Sequence, residues 1–128
     1  MVLSQETQTK HLLIVDDEDA TRMALQRVLE RAGFSVLVAE TGEEAVAIAM
    51  DHRATLRVVL TDVVLPGASG TQMAQTLREV APRARVILMS GYSREDVLTD
   101  DDRGLLFIQK PFSNDDVIAM ARHALSNA

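Results

Sequence analysis

The stretch Val58-Val59-Leu60-Thr61-Asp62 decides the fold. Three consecutive apolar residues without polar alternation read as a strand buried on both faces, the pattern of a parallel sheet. A carboxylate closing such a strand serves no packing purpose, so Asp62 marks a site. Three further runs end the same way. His11-Leu12-Leu13-Ile14-Val15 delivers Asp16 and Asp17, Arg85-Val86-Ile87-Leu88-Met89 delivers Ser90, and Leu105-Leu106-Phe107-Ile108-Gln109 delivers Lys110. In an open parallel sheet the ligand site lies outside the carboxyl ends of the strands, where the strand order reverses. As neighbours in one sheet, these runs bring three carboxylates, a hydroxyl and an ammonium to one crevice.

Helical patterns fill the intervals. Ala20, Met23, Ala24, Val28 and Ala32 recur at helical spacing, and Gly33 stands where a C′ glycine belongs. Ser35 to Ala39 is a short β-branched strand, and Thr41-Gly42-Glu43-Glu44 is a capping box before Ala45, Ile48 and Ala49. Pro66-Gly67 marks a turn, Ser69 can cap a helix carrying Met73, Leu77 and Val80, and Pro82 stops it. Ser93-Arg94-Glu95-Asp96 caps a short helix, poor in apolar residues, that runs into Asp100-Asp101-Asp102, read as a solvated helix end. Ser113-Asn114-Asp115-Asp116 caps the last, with Val117, Ile118, Ala121, Ala124 and Leu125 on its buried face. Five strands alternating with five helices predict one α/β domain, a parallel sheet with helices on both faces.

Composition narrows the function. With 128 residues, 47% hydrophobic but 3% aromatic, the chain fits one domain with an aliphatic core. A net charge of −6 without a basic run speaks against a nucleic-acid partner. Zero cysteines exclude disulfides and thiolate metal sites. No apolar stretch approaches the roughly 18 residues of a membrane span, and no signal-peptide pattern opens the chain, so a cytoplasmic location is expected. Residues 1–10 read as a flexible lead-in and 11–126 as the domain.

Asp16, Asp17 and Asp62 crowded together repel unless a cation intervenes. Mg²⁺, which binds through one or two carboxylates plus a phosphate, is the natural solution, with Lys110 holding a phosphoryl oxygen. Ser90 next to Gly91 supplies a hydroxyl on a loop with room to move. It has no His or Cys partner for a hydrolase triad, and neither GxGxxG nor a Walker loop is present. Phosphoryl chemistry on an aspartate nucleophile remains.

On these residues the chain, from 11 to 126, resembles the receiver domain of two-component response regulators. The ordered set is Asp16-Asp17, Asp62, Ser90 and Lys110-Pro111-Phe112, with Pro66 and Gly70 four and eight residues beyond Asp62. The resemblance implies a single doubly wound, flavodoxin-like (βα)5 fold with strand order 2-1-3-4-5. It also implies a phosphoacceptor signalling domain rather than an enzyme acting on outside substrates. Asp62 would accept a phosphoryl group from a phosphohistidine on a sensor histidine kinase or histidine phosphotransfer protein. Asp17, Asp62 and the Val64 carbonyl would bind Mg²⁺ or Mn²⁺, Asp16 acting partly through water, and Lys110–Pro111 would be a cis peptide. Ser90 and Phe107 would form the switch, changing the face of the fourth helix, fifth strand and fifth helix for a downstream protein or a weak homodimer. Phe107 stands where the family often has tyrosine. Val64 and Tyr92 match positions that tune self-dephosphorylation, and neither is a good base for water.

Blander readings exist for each residue. Asp16 and Asp17 could cap the first helix, although Asp19 can do so, and Phe107 could be ordinary core. His11, His52 and His123 are isolated and read as packing or surface residues. The rival function is a haloacid dehalogenase-type phosphohydrolase, whose DxDxT signature fits Asp17-Glu18-Asp19-Ala20-Thr21 with Asp17 as nucleophile and Asp19 as acid. That reading leaves Asp16 and Asp62 without roles. Both a single-domain regulator and a segment of a larger protein, such as a hybrid histidine kinase, fit the sequence.

Overall fold

The computed structural model describes residues 9–65, 68–98, 102 and 104–126. The expectations for Pro66-Gly67, for Asp100-Asp101 and for most of the lead-in lie outside them.

Each predicted strand run forms a strand, with boundaries within two residues of those read from sequence. They are β1 (His11–Val15), β2 (Ser35–Ala39), β3 (Leu56–Asp62), β6 (Arg85–Ser90) and β7 (Leu106–Gln109), with a two-residue ribbon of β4 (Val64–Leu65) and β5 (Ala68–Ser69) between β3 and β6. The large sheet is parallel throughout, in the order β2-β1-β3-β6-β7, which is 2-1-3-4-5 counted over its own strands. The chain leaves β1 toward one edge and returns to place β3 on its other side. The order therefore reverses between β1 and β3, and Asp16-Asp17 and Asp62 stand at that reversal.

Alternate strand residues face opposite layers, as the two-residue period of a strand requires. Leu13, Val15, Val59, Val86 and Leu88 pack with Ala45 and Ala49 of α2 (Gly42–Asp51) and with Met73, Ala74 and Leu77 of α3 (Gly70–Val80). Leu12, Ile14, Val58, Leu60, Ile87 and Met89 pack with Leu25 and Leu29 of α1 (Asp19–Arg31) and with Val117, Ala121 and Ala124 of α5 (Asn114–Ser126). Burying each of the larger aliphatic side chains contributes roughly 1.5–3 kcal/mol, so both layers hold the strand ends in a fixed frame.

Local chemistry sets the helix ends. Thr41 Oγ1 accepts from the Glu44 amide at 3.1 Å. Ser113 Oγ accepts from the Asp116 amide at 3.0 Å while Asp116 returns a bond to the Ser113 amide at 3.3 Å, a complete capping box. Gly33, at φ 101°, ends α1, and the Phe34 amide reaches back to the Leu29 carbonyl.

The structure departs from expectation in several places. The buried face of α1 is Arg22, Leu25 and Leu29, whereas Met23 is exposed. Alanines and leucines offer two helical stripes here, and the sheet selected the stripe with the larger side chains. Ser69 ends the two-residue strand β5, which the sequence reading did not foresee, and α3 begins at the next residue, Gly70. α4 is a single turn, Arg94–Val97, and Asp102 is buried in a 3₁₀ turn rather than solvated at a helix end. His11 and His52 are not isolated: their rings meet edge to face at 5.0 Å, and His11 Nδ1 lies 2.8 Å from Thr55 Oγ1.

Candidate functional site

The carboxyl ends of β1, β3, β6 and β7 converge as the sheet order requires. Asp62, last residue of β3, meets Lys110 across 48 residues of sequence: Nζ donates to Asp62 Oδ2 at 2.8 Å. The other oxygen, Oδ1, accepts from the Val64 amide at 3.1 Å. The carboxylate is therefore oriented by a cation on one side and by its own turn on the other. Lys110 is positioned in turn by its amide, which donates to the Ser90 carbonyl at 2.7 Å, and by a cis peptide to Pro111.

Asp16 is 1% exposed. Its Oδ1 accepts from the Glu18 amide at 2.9 Å, which shapes the β1–α1 turn. Glu18 is the N-cap of α1, so Asp16 does not cap the helix as the blander reading held. Its Oδ2 is buried and has no hydrogen-bond partner. Burial pushes the Asp16 carboxyl above the usual carboxylate range, with the nearby charges of Asp62 and Asp17 adding to the rise. The Glu18 amide and Lys110 oppose that rise without cancelling it. Asp17 is exposed on the same turn. A buried carboxylate oxygen without a partner, beside two more acids, is what a hard cation or its bound water satisfies. Among the described residues no three His, Cys, Asp or Glu side chains close into a ligand cage. Asp16, Asp17 and Asp62 are the acids present for a hard cation, which takes oxygen ligands.

Ser90 is the last residue of β6 and only 3% exposed, so it does not sit on an open loop as the sequence suggested. Its Oγ accepts from the Tyr92 amide at 2.9 Å, while Gly91, between them, has open space where a side chain would stand. Phe107 on β7 is half-buried against the layer formed with α2 and α3. The Val64 and Tyr92 side chains are 66% and 65% exposed, while their amides bond Asp62 Oδ1 and Ser90 Oγ.

A profile of the response regulator receiver domain matches residues 12–122. The chain belongs to that family. It is 36% identical over 105 residues to the sensor kinase CckA of Brucella abortus, covering 80% of this chain and 11% of that protein. It is 37% identical over 117 residues to the transcriptional regulatory protein YkoG of Bacillus subtilis, covering 90% of this chain and 50% of that one. The chain thus spans at most about half the length of these two relatives. Among solved structures, the receiver domain of the hybrid histidine kinase CckA superposes with a TM-score of 0.78 at 31% identity, over 90% of this chain and 98% of that domain.

The receiver family excludes the rival reading, and so does local geometry. Asp19, its supposed acid, is turned away to Arg22 at 2.5 Å. Arg22 itself escaped the sequence reading, although a charged residue three and seven positions before the buried Leu25 and Leu29 was a signal. No helix among the described residues is long and apolar enough to cross a membrane.

Proposed function

We propose that this receiver domain carries a phosphoryl group on Asp62, taken from a phosphohistidine of a sensor kinase or phosphotransfer protein. One observation carries the reading: the Lys110–Asp62 contact at 2.8 Å beside the buried, unpartnered Oδ2 of Asp16. A carboxylate oxygen of Asp62 attacks the phosphorus, an O–P bond forms, the P–N bond breaks, and the departing imidazole takes up a proton. Lys110 exchanges its carboxylate contact for a phosphoryl oxygen, neutralising charge where it accumulates. Asp17, Asp62 and the Val64 carbonyl would hold Mg²⁺ or Mn²⁺, with Asp16 acting partly through water; bound there, the ion offsets phosphoryl charge.

Ser90 reads the product. In the unphosphorylated state its hydroxyl accepts from the Tyr92 amide; rotation about χ1 gives up that bond and lets the hydroxyl donate to a phosphoryl oxygen instead. That movement opens space toward which Phe107 can turn, altering the face of α4, β7 and α5. This face is where a downstream protein or a second copy would read the state.

Incubation with acetyl phosphate and Mg²⁺, followed by intact mass, tests the proposal. The wild type should gain one phosphoryl group, lost in Asp62→Asn and in Asp17→Asn. An adduct that survives Asp62→Asn moves the acceptor elsewhere and ends this reading.

A further inference from the structure

The β1–α1 turn is held by a side chain that the phosphoryl chemistry above does not use. Arg22, in the opening turns of α1, is 9% exposed. Its Nη1 donates to the Asp16 carbonyl oxygen at 2.9 Å. Its Nη2 donates to Asp19 Oδ1 at 2.5 Å and to Glu40 Oε1 at 3.2 Å. The Asp16 amide, in turn, donates to the Ala39 carbonyl at 3.1 Å. The residue before Asp17 is therefore pinned at both backbone polar groups, by the end of β2 and by a buried guanidinium. The planar fork of arginine fixes these directions, which a lysine ammonium cannot reproduce.

We infer that Arg22 is the positioning residue of the divalent-cation pocket. It sets the peptide that presents Asp17 to Asp62, and touches neither the ion nor the phosphoryl group. This rests on the preceding reading, in which those acids hold the ion.

Two accounts of Arg22 predict opposite signs. As a bare charge, it repels a divalent ion, so removing it tightens binding. As the clamp on Asp16, it preorganises the ligands, and removing it weakens binding. Substitutions in the shell behind metal ligands typically cost 10–100-fold in affinity.

The test is a Mn²⁺ titration, read by the electron paramagnetic resonance of the free ion. It would use wild type, Arg22→Met, Arg22→Lys, Glu40→Gln and Asp17→Asn, each well below its own melting temperature. Arg22→Met should weaken Mn²⁺ about tenfold or more. Arg22→Lys, which keeps the charge and covers the case of a poorly folded Met variant, should also weaken it. Glu40→Gln leaves the Asp16 contact in place and should stay within about threefold of wild type. In acetyl phosphate labelling, the Arg22 variants should need more Mg²⁺ for half-maximal rate yet approach the same plateau, a split that mere loss of stability does not produce. Unchanged or tighter Mn²⁺ binding by both Arg22 variants, with Asp17→Asn still impaired, overturns the role of Arg22 alone. A wild type that binds no Mn²⁺ overturns the cation reading and this inference with it.

Discussion

Replacing Asp16 with asparagine should stabilise the ion-free protein while weakening its response to Mg²⁺. Asp16 is the most enclosed of the three acids, with one oxygen held by the Glu18 amide and the other buried without a partner. In the ionised state that oxygen faces the repulsion of Asp62 and Asp17. Asparagine keeps the acceptor for Glu18, removes the charge, and turns the neighbouring carboxylates from repelling groups into acceptors for its amide. An unsatisfied buried polar group costs about 1–3 kcal/mol, and the new amide recovers only part of that, so a gain of about 1.5 kcal/mol is expected. For a domain of this size it raises the melting temperature by about 5 °C.

The assay is thermal unfolding in EDTA and then in excess Mg²⁺, across pH. Because the Asp16 carboxyl is raised in the folded state, the wild type regains the lost stability when it takes up a proton and loses it as pH rises. The gap between variant and wild type should be widest near roughly pH 7 and close toward roughly pH 4. Mg²⁺ should stabilise the wild type more than the variant. An Asp16→Asn protein that melts at or below the wild type in EDTA at neutral pH would refute the assignment of Asp16 as a strained acid awaiting a cation.

Lys110→Met should slow phosphate incorporation from acetyl phosphate by about 100-fold or more, yet change stability by less than about 1 kcal/mol, because the ion pair is partly exposed; equal labelling rates by intact mass would contradict it. Phosphorylated wild type should decay over minutes rather than seconds, followed by loss of the adduct, because Val64 and Tyr92 supply no base; Val64→Asn, which can orient water, should decay faster. The His11 ring is held below the usual histidine range, by burial first and by His52 second, so its contribution is present above roughly pH 6.5 and lost as pH falls. Urea unfolding should show this slope largely removed in His11→Gln and only partly in His52→Gln. Gly33→Ala meets no neighbouring atom but must adopt φ 101°, so it should cost about 1 kcal/mol, or roughly 3–5 °C in melting temperature.

Much of the fold was legible because each strand run carries its own signature. Buried parallel strands are short, apolar and ended abruptly by polar residues, and the same local contrast exposed Asp16, Asp17, Asp62, Ser90 and Lys110. The caps at Thr41 and Ser113 act within a few residues and were equally readable. The errors lie where local pattern is degenerate. α1 offers two helical stripes, and only contact with the sheet chose Leu25 and Leu29 over Met23. The β4–β5 ribbon is two residues per strand, too short to impose a period.

Sequence alone determined the order of elements, their alternation and the set of groups at the strand ends, because these follow from propensity and periodicity over neighbouring residues. Tertiary structure decided which groups meet. It paired Lys110 with Asp62 rather than with Asp16 or Asp17, left Asp16 Oδ2 buried without a partner, and brought His11 against His52. It also buried Arg22 beneath the turn that presents Asp17. These contacts join residues up to 48 apart. Their distances depend on strand register and helix docking, which the packing of both layers sets cooperatively and which no local stretch encodes.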